Sequence, residues 1–238
     1  MIPYRDDRRW RTVPLMTIAI IAINAWVFFY EAKQNEFRLV QTFRRYGLTP
    51  RNVAQSPSLP ALRATAASFV TSLFLHAGFW HFFGNMWFLW VFGEALEDDL
   101  GPGRFLGFYL FCGFFACIFH VLAASSLDRP MIGASGAIAG VLGGYLIRLP
   151  KSSICTIVFW RLRPETVYIP AVVWLGLWLA LQFYGLRNGG AVAWMAHLGG
   201  FFIGLATVNL FTPLTPGPVP VHGKAVPKKK GNSKGKKK

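Results

Sequence analysis

Acidic residues are scarce in this sequence: its 238 residues include 10 Asp and Glu, against 25 Lys and Arg. All ten fall where we expect termini, loops or helix ends, and none lies in the middle of an apolar run. This distribution argues against an intramembrane aspartyl protease, which needs two facing aspartates, and against a transporter lined by carboxylates. The sequence also has no HExxH motif, so a membrane metalloprotease is not indicated.

Cysteine is rarer still. The three cysteines, Cys112, Cys117 and Cys155, fall in apolar segments and form no CxxC or Cys/His spacing. We therefore predict neither a disulfide framework nor a zinc site, and we expect the protein to work without a metal or another cofactor.

Apolar side chains, in contrast, are abundant. The sequence is 53% hydrophobic and 15% charged, with 22 Phe and 9 Trp, which is more apolar surface than a soluble domain of this length can bury. Hydropathy and charged breaks together predict an all-α polytopic membrane protein with six transmembrane helices. The predicted spans lie near residues 13–31, 79–96, 104–125, 134–149, 167–186 and 190–212.

The chain divides into three predicted parts. Residues 1–11 form a basic N-terminus, residues 12–212 the six-helix membrane domain, and residues 213–238 a lysine-rich tail. Residues 32–78 are too charged to span, so we expect a long extracytoplasmic first loop that rests on the membrane. Six spans put both termini on one side, and the excess of Lys and Arg there predicts that this side is cytoplasmic. We expect the plasma membrane as the location.

The formal net charge of +15 raises the question of nucleic-acid binding. However, 8 of the 25 Lys and Arg lie in the tail, and others flank apolar runs. We expect the tail to be disordered and to contact anionic lipid headgroups, rather than a specific nucleic acid.

Three polar residues are predicted to lie at one depth. At 1.5 Å per residue, Ser135 lies about 20 Å from the basic end of its helix, and His197 and His81 lie about 22 and 20 Å from the same side of the membrane. All three are then roughly 10 Å below the outer surface of a hydrocarbon core about 30 Å thick. Asn85 follows His81 by one turn on the same helix face.

Small residues recur every four positions on two of these helices. Gly136 and Gly140 follow Ser135, and Gly200 and Gly204 follow His197. Stripes of this kind permit close contact between transmembrane helices. One interpretation is that the fourth and sixth helices touch along these stripes and bring Ser135 against His197.

These residue types can support nucleophilic catalysis. Ser135 can act as a nucleophile with His197 as its base, and His81, Asn85 and the Ser135 backbone N–H can bind a developing oxyanion. Since no carboxylate is placed to orient His197, the residues predict a dyad. Each also has a structural interpretation: a membrane serine often bonds to a nearby carbonyl, and His81 and Asn85 can link helices.

The sequence resembles the rhomboid family of intramembrane serine proteases. The resemblance is carried by "HAGFWHFFGN", "GASG" and "AHLGGFFIG", in the family's order, and by the acidic turn "GEALEDDLG". It implies a six-helix bundle, Ser135 as nucleophile, His197 as general base, and an oxyanion site formed by His81, Asn85 and the Ser135 backbone. It also implies structural roles near the site for Gly133, Gly136, Gly200, Gly204, His76 and Glu97.

Two positions depart from the family's pattern. Ala139 stands where some members have an aromatic residue under the histidine, and residues 32–78 have no Trp, where some members carry Trp-Arg.

The expected function is an endopeptidase that cleaves transmembrane protein substrates, favouring segments with small or helix-breaking residues. The alternatives are a catalytically silent relative that binds transmembrane segments and, less favoured, a small-solute transporter with a histidine proton relay.

Overall fold

The computed structural model describes residues 1–8, 12–55, 58–124, 126–160, 163–189 and 192–212. The predicted tail, residues 213–238, lies outside the described residues, as do the last three residues of the predicted basic N-terminus.

The described part of the chain is mostly helical. A π-helical turn, Leu89–Gly93, joins α5 to α6, so residues 79–100 form one continuous helix. A 3₁₀ turn, Val208–Phe211, extends α10. The α-helices are α1 Leu15–Ala32, α2 Glu36–Tyr46, α3 Pro50–Ala54, α4 Leu59–Thr71, α5 Phe79–Phe88, α6 Glu94–Leu100, α7 Pro102–Ala123, α8 Ser135–Arg148, α9 Ala171–Asn188 and α10 Trp194–Thr207.

Within the described ranges, three helices are long and apolar enough to cross a membrane: Leu15–Ala32, Pro102–Ala123 and Trp194–Phe211. The six-span count therefore stays a prediction. The short fourth helix agrees with its predicted bounds, since α8 has 14 residues and begins at Ser135.

The prediction of an all-α fold is confirmed only as a mostly helical fold, because the structure also contains a three-stranded antiparallel sheet. Its strands, β1 Ile2–Asp6, β2 Ser153–Trp160 and β3 Arg163–Pro170, lie in the order β1-β2-β3. Residues 153–160, too short to cross a membrane, are rich in β-branched residues, which favour strands. The predicted fifth span also starts too early, because the chain stays in β3 until Pro170.

The sheet is fixed to the end of α8 that lies far from Ser135. Asp6 of β1 accepts a hydrogen bond from the buried Tyr145 hydroxyl and pairs with Arg8 at 3.2 Å. Tyr145 follows Ser135 by ten residues, which is about 15 Å along the helix. The sheet therefore supports the opposite end of the bundle.

The first loop contains α2, α3 and α4, and it contacts the segment that leads into α8. Leu48 forms an isolated antiparallel bridge with Met131, and Arg51 pairs with Asp128 on the surface. The hydrogen bond and charge of Arg51 hold the pKa of Asp128 below its usual value. Exposed apolar side chains on α2 and α4, such as Phe37 and Leu59, fit the expectation of contact with a membrane, which stays a prediction.

The helices α8 and α10 lie in backbone contact, as the small-residue stripes predict. A Cβ atom at Gly200 would overlap the carbonyl oxygen of Gly136, and one at Gly204 would overlap the carbonyl oxygen of Gly140. Only glycine permits this separation. The contact sets the relative height of the two helices and therefore of the side chains at their first turns.

Candidate active site

Ser135 is the first residue of α8, at the end of an irregular segment. Gly133, two residues earlier, has a φ of +117° and donates its backbone N–H to the Ser72 carbonyl at 2.8 Å. The first turn of a helix leaves backbone N–H groups without partners inside the helix. The Ser135 hydroxyl therefore lies beside backbone N–H groups that can bind an anionic oxygen.

The hydroxyl of Ser135 meets the imidazole of His197. Ser135 Oγ lies 2.8 Å from His197 Nε2, within hydrogen-bond distance. Both side chains are half-buried. His197 lies in the first turn of α10, which begins at Trp194. The two residues are 62 positions apart in sequence, and the α8–α10 contact brings them together.

The other ring nitrogen of His197 also has a partner. His197 Nδ1 lies 2.9 Å from Oε1 of Gln182, a buried residue of α9. The ring of Trp178 is inclined by 30° to the imidazole, with centroids 6.4 Å apart, and the ring of Trp194 packs edge-on with centroids 5.9 Å apart. These neighbours orient His197 although Ala139 offers it no aromatic ring.

Sequence reasoning missed Gln182 and Trp178. A signal for the first was present, because Gln182 is the only amide or charged side chain between Ala171 and Phe183. A polar group inside an apolar helix needs a partner. The sequence did not show which neighbour supplies it.

His81 and Asn85, on α5, lie beside Gly133. A Cβ atom on Gly133 would come within 2.7 Å of Cε1 and Nε2 of His81 and 3.6 Å of Nδ2 of Asn85. His81 Nδ1 accepts a hydrogen bond from the Ala77 backbone N–H at 3.4 Å. Asn85 is buried, and its Nδ2 has no hydrogen-bond partner among the described residues. Such a buried donor beside Gly133, two residues before Ser135, can stabilise negative charge there.

Most of the residues expected to support the site lie near it. Gly136 and Gly200 form part of the α8–α10 contact beside Ser135 and His197. Gly204 continues that contact one turn farther along α10. The ring of His76 packs edge-on against that of His81, with centroids 5.1 Å apart.

Glu97 lies elsewhere, at the first turn of α1. Its carboxylate accepts hydrogen bonds from the backbone N–H groups of Met16 and Thr17 at 2.8 and 2.7 Å. It follows Asn85 by twelve residues of continuous helix, which is about 18 Å. The expectation of a role near the site does not agree with this position; Glu97 caps α1.

Within the described ranges, no group of three His, Cys, Asp or Glu side chains is arranged to hold a metal ion. The site instead combines a hydroxyl, an imidazole with partners on both nitrogens, and amide and imidazole donors. This arrangement can remove a proton from the hydroxyl and stabilise an adjacent oxyanion.

A family model described as a rhomboid domain matches residues 63–213. Rhomboid protein 1, mitochondrial, of Saccharomyces cerevisiae is 32% identical over 148 residues, which cover 58% of this chain and 40% of that protein. RHOMBOID-like protein 5 of Arabidopsis thaliana is 28% identical over 222 residues, 84% of this chain and 68% of that protein. The human Presenilin-associated rhomboid-like protein, mitochondrial, is 28% identical over 155 residues, 62% of this chain and 38% of that protein.

The chain thus spans between 38% and 68% of the length of these relatives. The matches and the apolar helices establish an integral membrane protein. They do not support the expected plasma-membrane location, because two of these relatives are named as mitochondrial proteins. The cytoplasmic orientation of both termini stays a prediction.

Proposed function

The chain belongs to the rhomboid family, and from that membership we propose that it is a serine endopeptidase that hydrolyses peptide bonds in or near transmembrane segments of other membrane proteins. Ser135 is the nucleophile and His197 the general base. The observation that supports this most strongly is the 2.8 Å separation of Ser135 Oγ and His197 Nε2. A serine that merely satisfied its hydroxyl would need only a helix carbonyl.

Acylation follows from this geometry. The Ser135 oxygen attacks the carbonyl carbon of the scissile bond while its proton passes to His197 Nε2. The resulting imidazolium then gives that proton to the nitrogen of the leaving amine as the C–N bond breaks. The amine product departs and leaves an ester on Ser135.

The developing oxyanion is bound by donors from two places, the start of α8 and the side chains beside Gly133. The first group is the backbone N–H groups at the start of α8. The second is the side chains of His81 and Asn85, which lie beside Gly133. Fixed donors of this kind stabilise the transition state more than the substrate, because the negative charge appears only there.

Hydrolysis of the ester repeats the sequence with water as the nucleophile. His197 takes a proton from water and returns it to the Ser135 oxygen as the acid product leaves. A substrate must expose an extended peptide to reach Ser135, so segments with small or helix-breaking residues are favoured over stable helices.

The test is cleavage of a transmembrane reporter by the purified protein in liposomes. The wild type, Ser135→Ala and His197→Ala are compared, together with labelling of Ser135 by a fluorophosphonate, a reagent that reacts covalently with activated serines. Ser68→Ala is the matched control, because Ser68 is a buried serine whose hydroxyl donates to the Thr65 carbonyl of its own helix.

We expect cleavage and labelling in the wild type and in Ser68→Ala, and neither in Ser135→Ala. Persistent cleavage by Ser135→Ala would remove Ser135 as nucleophile. Binding of the reporter without cleavage by the wild type would favour a silent relative, and flux of a small solute would favour a transporter; either result contradicts the proposal.

A further inference from the structure

The amide of Gln182 has a single orientation that satisfies both of its neighbours. Its Nε2 donates to the backbone carbonyl of Trp178 at 2.9 Å, and its Oε1 lies 2.9 Å from His197 Nδ1. The Trp178 carbonyl can only accept, so the NH₂ group must face it. A flipped amide would place two carbonyl oxygens against each other, and Oε1 must therefore face His197.

This orientation determines where the neutral imidazole carries its proton. Oε1 of Gln182 can only accept, so His197 Nδ1 must be the N–H donor. Nε2 then carries the lone pair, and it faces the Ser135 hydroxyl at 2.8 Å. The opposite tautomer would place an N–H group toward Ser135 and could not take its proton.

We propose that Gln182 is a positioning residue that holds His197 in its Nδ1–H tautomer and so makes Nε2 the base for Ser135. Its effect on catalysis rests on the proposed function, whereas the tautomer is a property of the folded protein alone. Gln182 acts through His197 and does not touch the reacting atoms.

An amide suits this position better than a carboxylate does. Gln182 is 6% exposed, and an ionised side chain buried in a membrane helix is costly. An ionised carboxylate also has no N–H or O–H to give the Trp178 carbonyl, and it would place a second acceptor against that oxygen. When Nε2 takes the serine proton, Nδ1 keeps its own, so the hydrogen bond to Oε1 persists through the transfer.

Among the described residues, the other groups around His197 do not assign its tautomer. Trp178 and Trp194 contact the imidazole through their rings, and Ser135 can donate or accept through its hydroxyl. His81, on α5, is a titratable group that acts electrostatically on His197. His81 is not mutated in the variants that test this proposal.

The experiment compares Gln182→Leu and Gln182→Glu with the wild type. Leucine removes the acceptor. A protonated glutamic acid keeps both hydrogen bonds of Gln182, because its O–H can donate to the Trp178 carbonyl and its C=O can accept from His197. Asn188→Leu is the matched control: Asn188 lies on the same helix and donates in the same way to the Tyr184 carbonyl, four residues earlier.

The direct readout is ¹⁵N NMR of ring-labelled histidine. The signal of His197 is assigned as the one that disappears in His197→Ala. We expect a protonated Nδ1 in the wild type, in Gln182→Glu and in Asn188→Leu. In Gln182→Leu we expect a large population protonated at Nε2 instead.

The second readout is rate. In Gln182→Leu we expect kcat and the rate of fluorophosphonate labelling to fall about 10- to 100-fold with KM unchanged. This loss is smaller than the roughly 10⁴-fold loss of a serine protease whose base is held in the wrong tautomer, because leucine enforces neither tautomer. Gln182→Glu should recover most of the rate, which a purely structural role for the amide would not require.

A wild-type His197 protonated at Nε2 would overturn the proposal, as would a Gln182→Leu protein with the wild-type tautomer and rates. If Gln182→Leu does not fold, the tautomer of His197 in the wild type still tests the proposal. A wild type that shows a protonated Nδ1 but neither cleaves the reporter nor labels at Ser135 would contradict the protease function and leave the assignment of the tautomer supported.

Discussion

Gly133 lies so close to the imidazole of His81 that a methyl group on it would come within 2.7 Å of Cε1 and Nε2. The same glycine has a φ of +117°, which L side chains rarely adopt. The contact with the His81 ring and the backbone conformation therefore both require glycine at this position. Because Gly133 precedes Ser135 by two positions, it allows the chain to enter α8 directly beside His81.

We predict that Gly133→Ala lowers kcat by about a hundredfold or more, because the methyl group displaces His81 and the backbone that leads to Ser135, and shifts of about 1 Å are costly in catalysis. Reporter cleavage measures the rate. Gly189→Ala separates steric contact from backbone strain. Gly189 also has a positive φ, +74°, but a methyl group added there would meet no atom of the described residues within 4 Å. It should lose stability and keep kcat; an equal loss of kcat in both variants would refute the steric explanation.

The unpaired amide of Asn85 gives a second prediction. Asn85→Leu keeps much of the side-chain volume but removes the Nδ2 donor near Gly133, so kcat should fall about 10²- to 10³-fold while KM changes little. Steady-state kinetics with the reporter checks this. His81→Leu should act in the same direction.

Asn24→Leu is the control for removing a buried amide. Asn24 lies in α1, and its Nδ2 donates to the Ile20 carbonyl of the same helix. It should change stability without a selective loss of kcat. If Asn85→Leu behaves in the same way, Asn85 links helices and takes no part in catalysis.

Local patterns predicted much of this architecture. The bounds of α8 fall within one residue of the predicted helix, because the apolar run and the basic residue that ends it lie in one stretch of chain. The approach of Ser135 to His197 was predictable for a related reason. Repeated glycines mark a contact face without any knowledge of the partner's position.

Two features are less local. The pairing of Ile2–Asp6 with Ser153–Trp160 joins segments about 150 residues apart, so neither strand shows its partner locally. The partner of Gln182 depends on the rotation of α9 about its axis. The position of Glu97 could have been predicted from the helical rise alone, which places it about 18 Å along the helix from Asn85.

We predict that Gly200→Ala destabilises the protein and lowers kcat together, because its Cβ would overlap the Gly136 carbonyl oxygen and force α8 away from α10. Gly176→Ala, within α9, is the control, since its Cβ would meet no atom within 4 Å in the part of the chain that the structure describes. Alanine there should be tolerated, with its better helix propensity. Thermal unfolding in detergent and reporter cleavage measure the two effects. A Gly200→Ala protein as stable and active as Gly176→Ala would contradict the close contact of the helices.

Glu97 supplies a prediction in which stability and activity separate. Its buried carboxylate accepts from the backbone N–H groups of Met16 and Thr17 and from the Thr17 hydroxyl, and its charge lies at the positive end of α1. Glu97→Gln replaces one accepting oxygen with an NH₂ group, which leaves at least one buried donor without a partner. An orphaned donor of this kind costs about 1–3 kcal/mol in the free energy of unfolding.

Asp98→Asn is the comparison, because the neighbouring Asp98 accepts from the Thr12 backbone N–H and hydroxyl at an exposed position where water can replace the lost acceptor. The free energy of unfolding should therefore fall less in Asp98→Asn than in Glu97→Gln. Since Glu97 lies about 18 Å along the helix from Asn85, kcat below the unfolding temperature should stay near the wild-type value in both. A selective loss of kcat in a stable Glu97→Gln protein would show that the cap of α1 is coupled to the site. That result would contradict the prediction that Glu97 only stabilises the end of α1.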